Sequence, residues 1–169
     1  MRSKMRLSRR RFLKRVASIG AASGAAPCAV PSRVLGRNGA TPPSETVTLG
    51  AIGLGFAWPA GLAFESVRML AVCDVQKARR DPAKAQVDRH YGNHDCMACG
   101  DFREVIGRDD VDAVYIATPD HWHATIAIAA ARAGKHIYCQ KPLTRTVAEG
   151  RAVVEAVRRY GVVFQHGTQ

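Results

Sequence analysis

Residues 46–55 read Thr46-Val47-Thr48-Leu49-Gly50-Ala51-Ile52-Gly53-Leu54-Gly55. A short apolar run closing on a Gly-x-Gly turn predicts a buried strand, Val47 to Ile52, that enters a tight loop. In such a turn the first glycine permits the bend and the second lets backbone approach a phosphate group. A third glycine would fall at position 58, where the chain has Trp58 followed by Pro59. By itself the incomplete turn is a weak signal. Asp74 strengthens it, standing 21 residues after Gly53 at the end of the next apolar run, Val67 to Cys73.

A carboxylate at that spacing can accept hydrogen bonds from ribose hydroxyls and repels a 2′-phosphate. The expected cofactor is therefore NAD, with NADP disfavoured, although Lys77, Arg79 and Arg80 follow closely and pull the other way. Only about a dozen residues, Phe56 to Ser66, hold the whole first crossover, so its helix is expected to be short.

Outward from this unit, strand and helix signals alternate. Asp112 to Thr118, His136 to Cys139 and Val162 to Phe164 are further strand candidates. Their near-continuous apolar character suits strands buried on both faces of a parallel sheet. Trp122 to Ala133 predicts an alanine-rich helix stopped by Gly134. Thr146-Val147-Ala148-Glu149 is a capping box that starts a helix running to about Tyr160 and ended by Gly161. Asp101 can cap a short helix through Ile106. This rhythm predicts right-handed crossovers and an open α/β sheet.

Two loops follow the third and fourth of these strands: Ala117-Thr118-Pro119-Asp120-His121-Trp122-His123, and Tyr138-Cys139-Gln140-Lys141-Pro142-Leu143. Both fall at carboxyl ends of strands, where open α/β sheets bind ligands. The two segments resemble the N-terminal domain of the Gfo/Idh/MocA family (glucose–fructose oxidoreductase, inositol dehydrogenase and rhizopine catabolism), with its strand ending Ala-Thr-Pro and its later Glu-Lys-Pro loop. The likeness covers residues 47–169. It implies a Rossmann-type doubly wound parallel sheet, an NAD(P) cofactor and hydride transfer to or from a sugar, polyol or related small molecule. It also implies that Gly53, Gly55, Phe56 and Ala57 line the pyrophosphate and Asp74 the ribose. Thr118, Pro119, His121, Trp122 and His123 would then flank the nicotinamide, with Lys141 the catalytic lysine. Gln140 stands where the family usually has Glu, which keeps hydrogen bonding but removes a negative charge beside Lys141. His121 and His123 also fit the plain start of a helix packing on the sheet, and Tyr138 and Cys139 read as strand residues.

The formal net charge is +11, which suggests a nucleic-acid binder until it is located. Residues 1–44 carry 10 Lys and Arg and no acid, whereas the remainder carries 15 basic against 14 acidic residues. The charge belongs to the tail, so no nucleic-acid groove is expected. That tail has eight basic residues before Val16, then seventeen uncharged ones. Ser8-Arg9-Arg10-Arg11-Phe12-Leu13-Lys14 resembles a twin-arginine export signal, which implies the twin-arginine machinery as a partner and a periplasmic or extracytoplasmic location. The expected organisation is a signal over 1–32, a linker over 33–45 and a nucleotide-binding domain over 46–169. In the resembled family a second, substrate-holding domain follows; the expectation here is a chain lacking it, inactive by itself, with any homo-oligomer formed through that absent domain. Alternatives are an NAD-dependent glycoside hydrolase, which resembles the same family, or a non-catalytic NAD-binding remnant.

His90, His94, Cys96 and Cys99 lie within ten residues and offer zinc-type ligands. No second cysteine pair follows, so no metal site is expected; a loop with a short edge strand is, or a strained Cys96–Cys99 disulfide. At 47% hydrophobic and 23% charged, the chain is neither collagen-like nor disordered.

Overall fold

The computed structural model describes residues 41–55 and 58–168. The export-signal reading falls outside them, as do Phe56 and Ala57. Six strands form one parallel sheet: β1 (Val47–Ile52), β2 (Val67–Cys73), β3 (Met97–Cys99), β4 (Ala113–Ile116), β5 (His136–Cys139) and β6 (Phe164–His166). Their order is β3-β2-β1-β4-β5-β6, with a reversal of winding between β1 and β4. This is the doubly wound order whose switch point opens a crevice at the carboxyl ends of the strands.

Among the described residues the α-helices are α1 (Lys77–Tyr91), α2 (Phe102–Ile106), α3 (Asp120–Arg132) and α4 (Val147–Tyr160). Strand alternation divides the core into two layers. On one face Ile52, Cys73, Ile116, Ile137 and Cys139 meet α2, α3 and α4 through Val105, Ala127, Ala130 and Val153. On the other, Leu49, Ala51, Met69 and Val72 meet Trp58 and, from α1, Ala83 and Val87. Full burial of a side chain such as Ile116 is worth about 1.5–3 kcal/mol, so these rows are what hold the helices on the sheet. Small side chains on α3 (Ala124, Ala127, Ala130, Ala131) let it lie close to the strands.

Local chemistry explains the ends. Thr146 accepts from Glu149 N while the Glu149 side chain accepts from the Thr146 amide, the expected capping box. Gly161 closes α4 in the left-handed conformation at φ +66°. Asp101 caps α2 by accepting from Arg103 N at 2.9 Å. At the amino edge of the sheet, Thr48 N and Thr48 Oγ1 donate to Asp112 Oδ2 at 2.8 and 2.7 Å, and Asp112 N donates back to Thr48 O at 3.0 Å. Those amide and hydroxyl donors hold the Asp112 carboxyl below its usual range.

Several boundaries differ from expectation. The first crossover winds as a 3-10 helix, Trp58–Ala63, with no α-helix; Pro59 has no amide hydrogen to give. α3 begins at Asp120, two residues early, because Pro119 supplies the cap and its carbonyl takes Trp122 N at 2.9 Å. β6 begins at Phe164, where pairing with Ile137 of β5 starts, and Val163 is left 65% exposed. Pro43–Glu45, inside the expected linker, makes one 3-10 turn. Among the described residues no helix is long and apolar enough to cross a membrane.

Candidate functional site

β1, β4 and β5 are parallel neighbours, so their carboxyl ends emerge at one edge. The ladder continues past each end: Gly53 N donates to Cys73 O at 2.9 Å, Ala117 N to Ile52 O at 2.8 Å, and Gln140 N to Ile116 O at 2.9 Å. The glycine turn, the Thr118 tip and the Lys141 loop therefore sit side by side. Gly53 has φ +88°, and a Cβ there would lie 2.6 Å from Ala117 C, Ala117 O and Thr118 N. Only glycine lets the β1 tip pass this close to the β4 tip. A Cβ on Gly55, by contrast, would meet nothing within 4 Å among the described residues.

Asp74 ends β2 and faces the turn. Its Oδ2 accepts from Leu54 N at 2.9 Å and its Oδ1 from Gln76 N at 2.8 Å. The carboxylate thus staples the glycine turn to the tip of β2 before any ligand arrives. It retains lone pairs for further donors, since each carboxylate oxygen can accept about two.

A cavity of ≈ 360 Å³ opens between these tips, lined among others by Gly53, Asp74, Arg79, Phe102, Pro119 and Trp122. Thr118 also lines it, and its Oγ1 is buried without a partner among the described residues. A buried hydroxyl left unpaired costs free energy unless something binds it. Trp122, 42% exposed, and Phe102 bring their rings to 6.3 Å at one wall. This combination of an apolar wall, a carboxylate and an orphan hydroxyl at a switch point suits a nucleotide.

Of the residues expected at the site, Gly53, Asp74, Thr118, Pro119 and Trp122 share this cavity. Gln140 and Lys141 do not line it but stand on the adjoining loop. Gln140 Nε2 donates to Tyr115 Oη at 3.3 Å and its Oε1 accepts from Lys141 N at 3.0 Å. The Lys141–Pro142 peptide is cis, and Lys141 is exposed. His121 is exposed on the first turn of α3 and is not among the cavity residues. His123 is buried, 1% exposed, with both ring nitrogens against backbone carbonyls, so it meets the site only through the loops it touches. Phe102 and Arg103 were not anticipated: they arrive on the β3-to-β4 crossover, whose sequence signal is only the Asp101 cap. Arg79 beside Asp74 was visible only as a neighbouring charge.

The cysteine-rich segment is dispersed. Cys96 and Cys99 are free and buried, with no disulfide between them, and the His94 side chain is 95% exposed, 3.5 Å from Asp88. Burial pushes the Cys96 thiol up to about 11. Hydrogen bonding between Cys73 and Cys99 raises the first thiol and lowers the second. Among the described residues no three His, Cys, Asp or Glu converge as metal ligands.

Comparison with known proteins gives the same picture. The model of the GFO_IDH_MocA family, described as an oxidoreductase family with an NAD-binding Rossmann fold, matches residues 47–168. A levoglucosan dehydrogenase from Pseudarthrobacter phenanthrenivorans is 39% identical over 127 residues, which are 70% of this chain and 32% of that one. A glycosyl hydrolase family 109 protein from a Shewanella species is 34% identical over 125 residues, 70% of this chain and 27% of that one. Among solved structures, a probable dehydrogenase from Thermotoga maritima superposes with a TM-score of 0.65 at 27% identity, over 72% of this chain and 36% of that one. The chain spans about a third of the length of the relatives it matches.

Proposed function

The chain belongs to the Gfo/Idh/MocA oxidoreductase family, and from that premise we propose that it is the nucleotide-binding part of an NAD(P)-dependent oxidoreductase acting on a sugar, polyol or related small molecule. The observation that carries this reading is the meeting of the glycine turn, Asp74 and the unpaired Thr118 hydroxyl around one cavity, with Lys141 on the next strand tip. Asp74 and Arg79 would hold the adenosine end. Thr118, Pro119 and Trp122 would line the way toward the nicotinamide, and the open space at Gly55 leaves room for phosphate against backbone.

When bound, the nicotinamide supplies or accepts the hydride. Lys141 would hydrogen-bond the substrate oxygen and exchange its proton as hydroxyl and carbonyl interconvert. Gln140 turns its amide inward to Tyr115 and the Lys141 backbone, which fixes the loop without adding charge beside the lysine. Lys141 is exposed on its loop. The described residues are expected to bind the dinucleotide.

Asp74 on the cavity wall favours NAD, and Arg79 on the same wall gives NADP a weaker second chance. The basic segment that resembles a twin-arginine signal supports export, and therefore action outside the cytoplasm. Fluorescence titration of the chain with NADH and NADPH tests the cofactor reading. NADH should bind more tightly, and Asp74→Ala should reduce both its affinity and its advantage over NADPH. Unchanged affinity in Asp74→Ala would remove the ribose contact from the account. A second reading, an NAD-dependent glycosidase, is favoured by the likeness to the glycosyl hydrolase family 109 protein. Fusion of the export-signal segment to a folded reporter would test the route, since reporter retained in the cytoplasm would exclude it.

A further inference from the structure

His123 stands on the first turns of α3, 1% exposed. Its Nδ1 is 2.7 Å from Pro142 O and its Nε2 is 2.8 Å from Thr118 O. A carbonyl oxygen can only accept, and a neutral imidazole has a single N–H to give. With a neutral ring, one of these two contacts would set a nitrogen lone pair against an oxygen lone pair. Both become hydrogen bonds only when both nitrogens carry hydrogen, that is, when the ring is an imidazolium. The lengths are those of charge-assisted N–H···O bonds. The first turn of a helix disfavours a cation, so the two carbonyls must supply the compensation. The charged or titratable residues beside it on α3, Asp120 and His121, and beside Pro142 on the facing loop, Lys141, are all exposed.

The two carbonyls belong to different loops. One is the tip of β4, whose residue Thr118 keeps its hydroxyl unpaired in the cavity. The other is Pro142, directly after Lys141, which has no amide hydrogen and can be gripped only by its carbonyl. Thr118 thus gives its carbonyl to the histidine while its hydroxyl stays available to a ligand.

We propose that His123 is a positively charged, doubly donating clamp: a positioning residue that fastens the Lys141 loop to the Thr118 tip and so sets where the lysine amine stands over a bound dinucleotide. This rests on the reading of Lys141 as the catalytic lysine, and it concerns the lysine loop and not the adenosine cavity, which His123 does not line.

The test uses the full chain at pH 7. In nitrogen–proton correlation spectra of histidine-labelled protein, the His123 ring should show two protonated nitrogens; one bare acceptor nitrogen would overturn the clamp. His123→Gln removes the charge. By displacing the Lys141 loop and the Thr118 tip it should weaken NADH binding about tenfold, while ADP-ribose, which lacks the nicotinamide, stays within about twofold. Equal loss for both ligands, or loss for neither, would overturn the positioning role. Should the unaltered chain bind neither ligand, the cofactor reading falls on its own. The ring spectrum would still decide the clamp, together with the Lys141 and Leu143 amide shifts, which should move in His123→Gln. Unmoved amides would overturn it. A variant that fails to fold leaves the unaltered chain's ring spectrum to decide.

Discussion

Replacing Gly53 by alanine gives the sharpest check on the geometry of the strand tips. The added methyl would sit 2.6 Å from three backbone atoms of Ala117 and Thr118, where ordinary contact begins near 3.4 Å. The β1 and β4 tips would have to separate by about 0.8 Å, and neither is a flexible side chain that can swing aside. Overpacking of this kind costs about 1–3 kcal/mol. Holding alanine at φ +88° adds about 1–2 kcal/mol. The expected destabilisation is therefore about 2–5 kcal/mol, a large share of the ~5–15 kcal/mol that holds a domain folded. Urea unfolding followed by circular dichroism measures it, with Gly55→Ala as the matched control. That control should stay within about 0.5 kcal/mol of the parent, because its methyl meets nothing within 4 Å among the described residues. It should nevertheless weaken NADH binding if backbone and phosphate meet there. A Gly53→Ala loss below about 1 kcal/mol would refute the close approach of the two tips.

Other perturbations address separate parts of the molecule. The Asp112 carboxyl titrates below its unfolded value, so its contribution to stability is present at neutral pH and is lost as pH falls from about 5 toward the folded value. Asp112→Asn should show a shallower fall in stability between about pH 5 and pH 3 than the parent; an unchanged slope would show that the Thr48 contacts carry no linkage. Lys141→Ala should leave the urea midpoint unchanged, because the side chain is exposed, and a clear shift would mean the lysine is structural. Exhaustive chelation should not alter the melting temperature, as Cys96, Cys99, His90 and His94 do not converge; a drop of several degrees would reinstate a metal.

Much of this architecture was readable because it is written in apolar runs. β1, β2 and β5 match the expected residues end for end, each being a near-continuous hydrophobic stretch that only a doubly covered strand can use. α1 was missed for the opposite reason. Lys77–Tyr91 is dominated by charged and polar residues, contains Pro82, and buries only Ala83, Val87 and Asp88, so no helical stripe stands out. The glycine turn, Asp74 and the Thr118 loop were legible because each needs a particular residue type at a particular strand end. Phe102 and Arg103 were not, since nothing in the sequence says how far a crossover swings back toward the switch point. The role of His123 was invisible too: it depends on two carbonyls from loops 24 residues apart, Thr118 and Pro142, and carbonyls have no letter in a sequence.

The reciprocal bonding of Thr48 and Asp112 has a mirror meaning. At that margin of the sheet Thr48 and Asp112 answer each other's donors from within the chain, whereas the opposite margin keeps the Thr118 hydroxyl unanswered among the described residues. The paired margin should therefore be the more rigid of the two. Amide exchange should accordingly run slowest near Thr48 and Asp112 and quicken along each strand toward Gly53 and Thr118, until a visitor fills the mouth and evens the gradient.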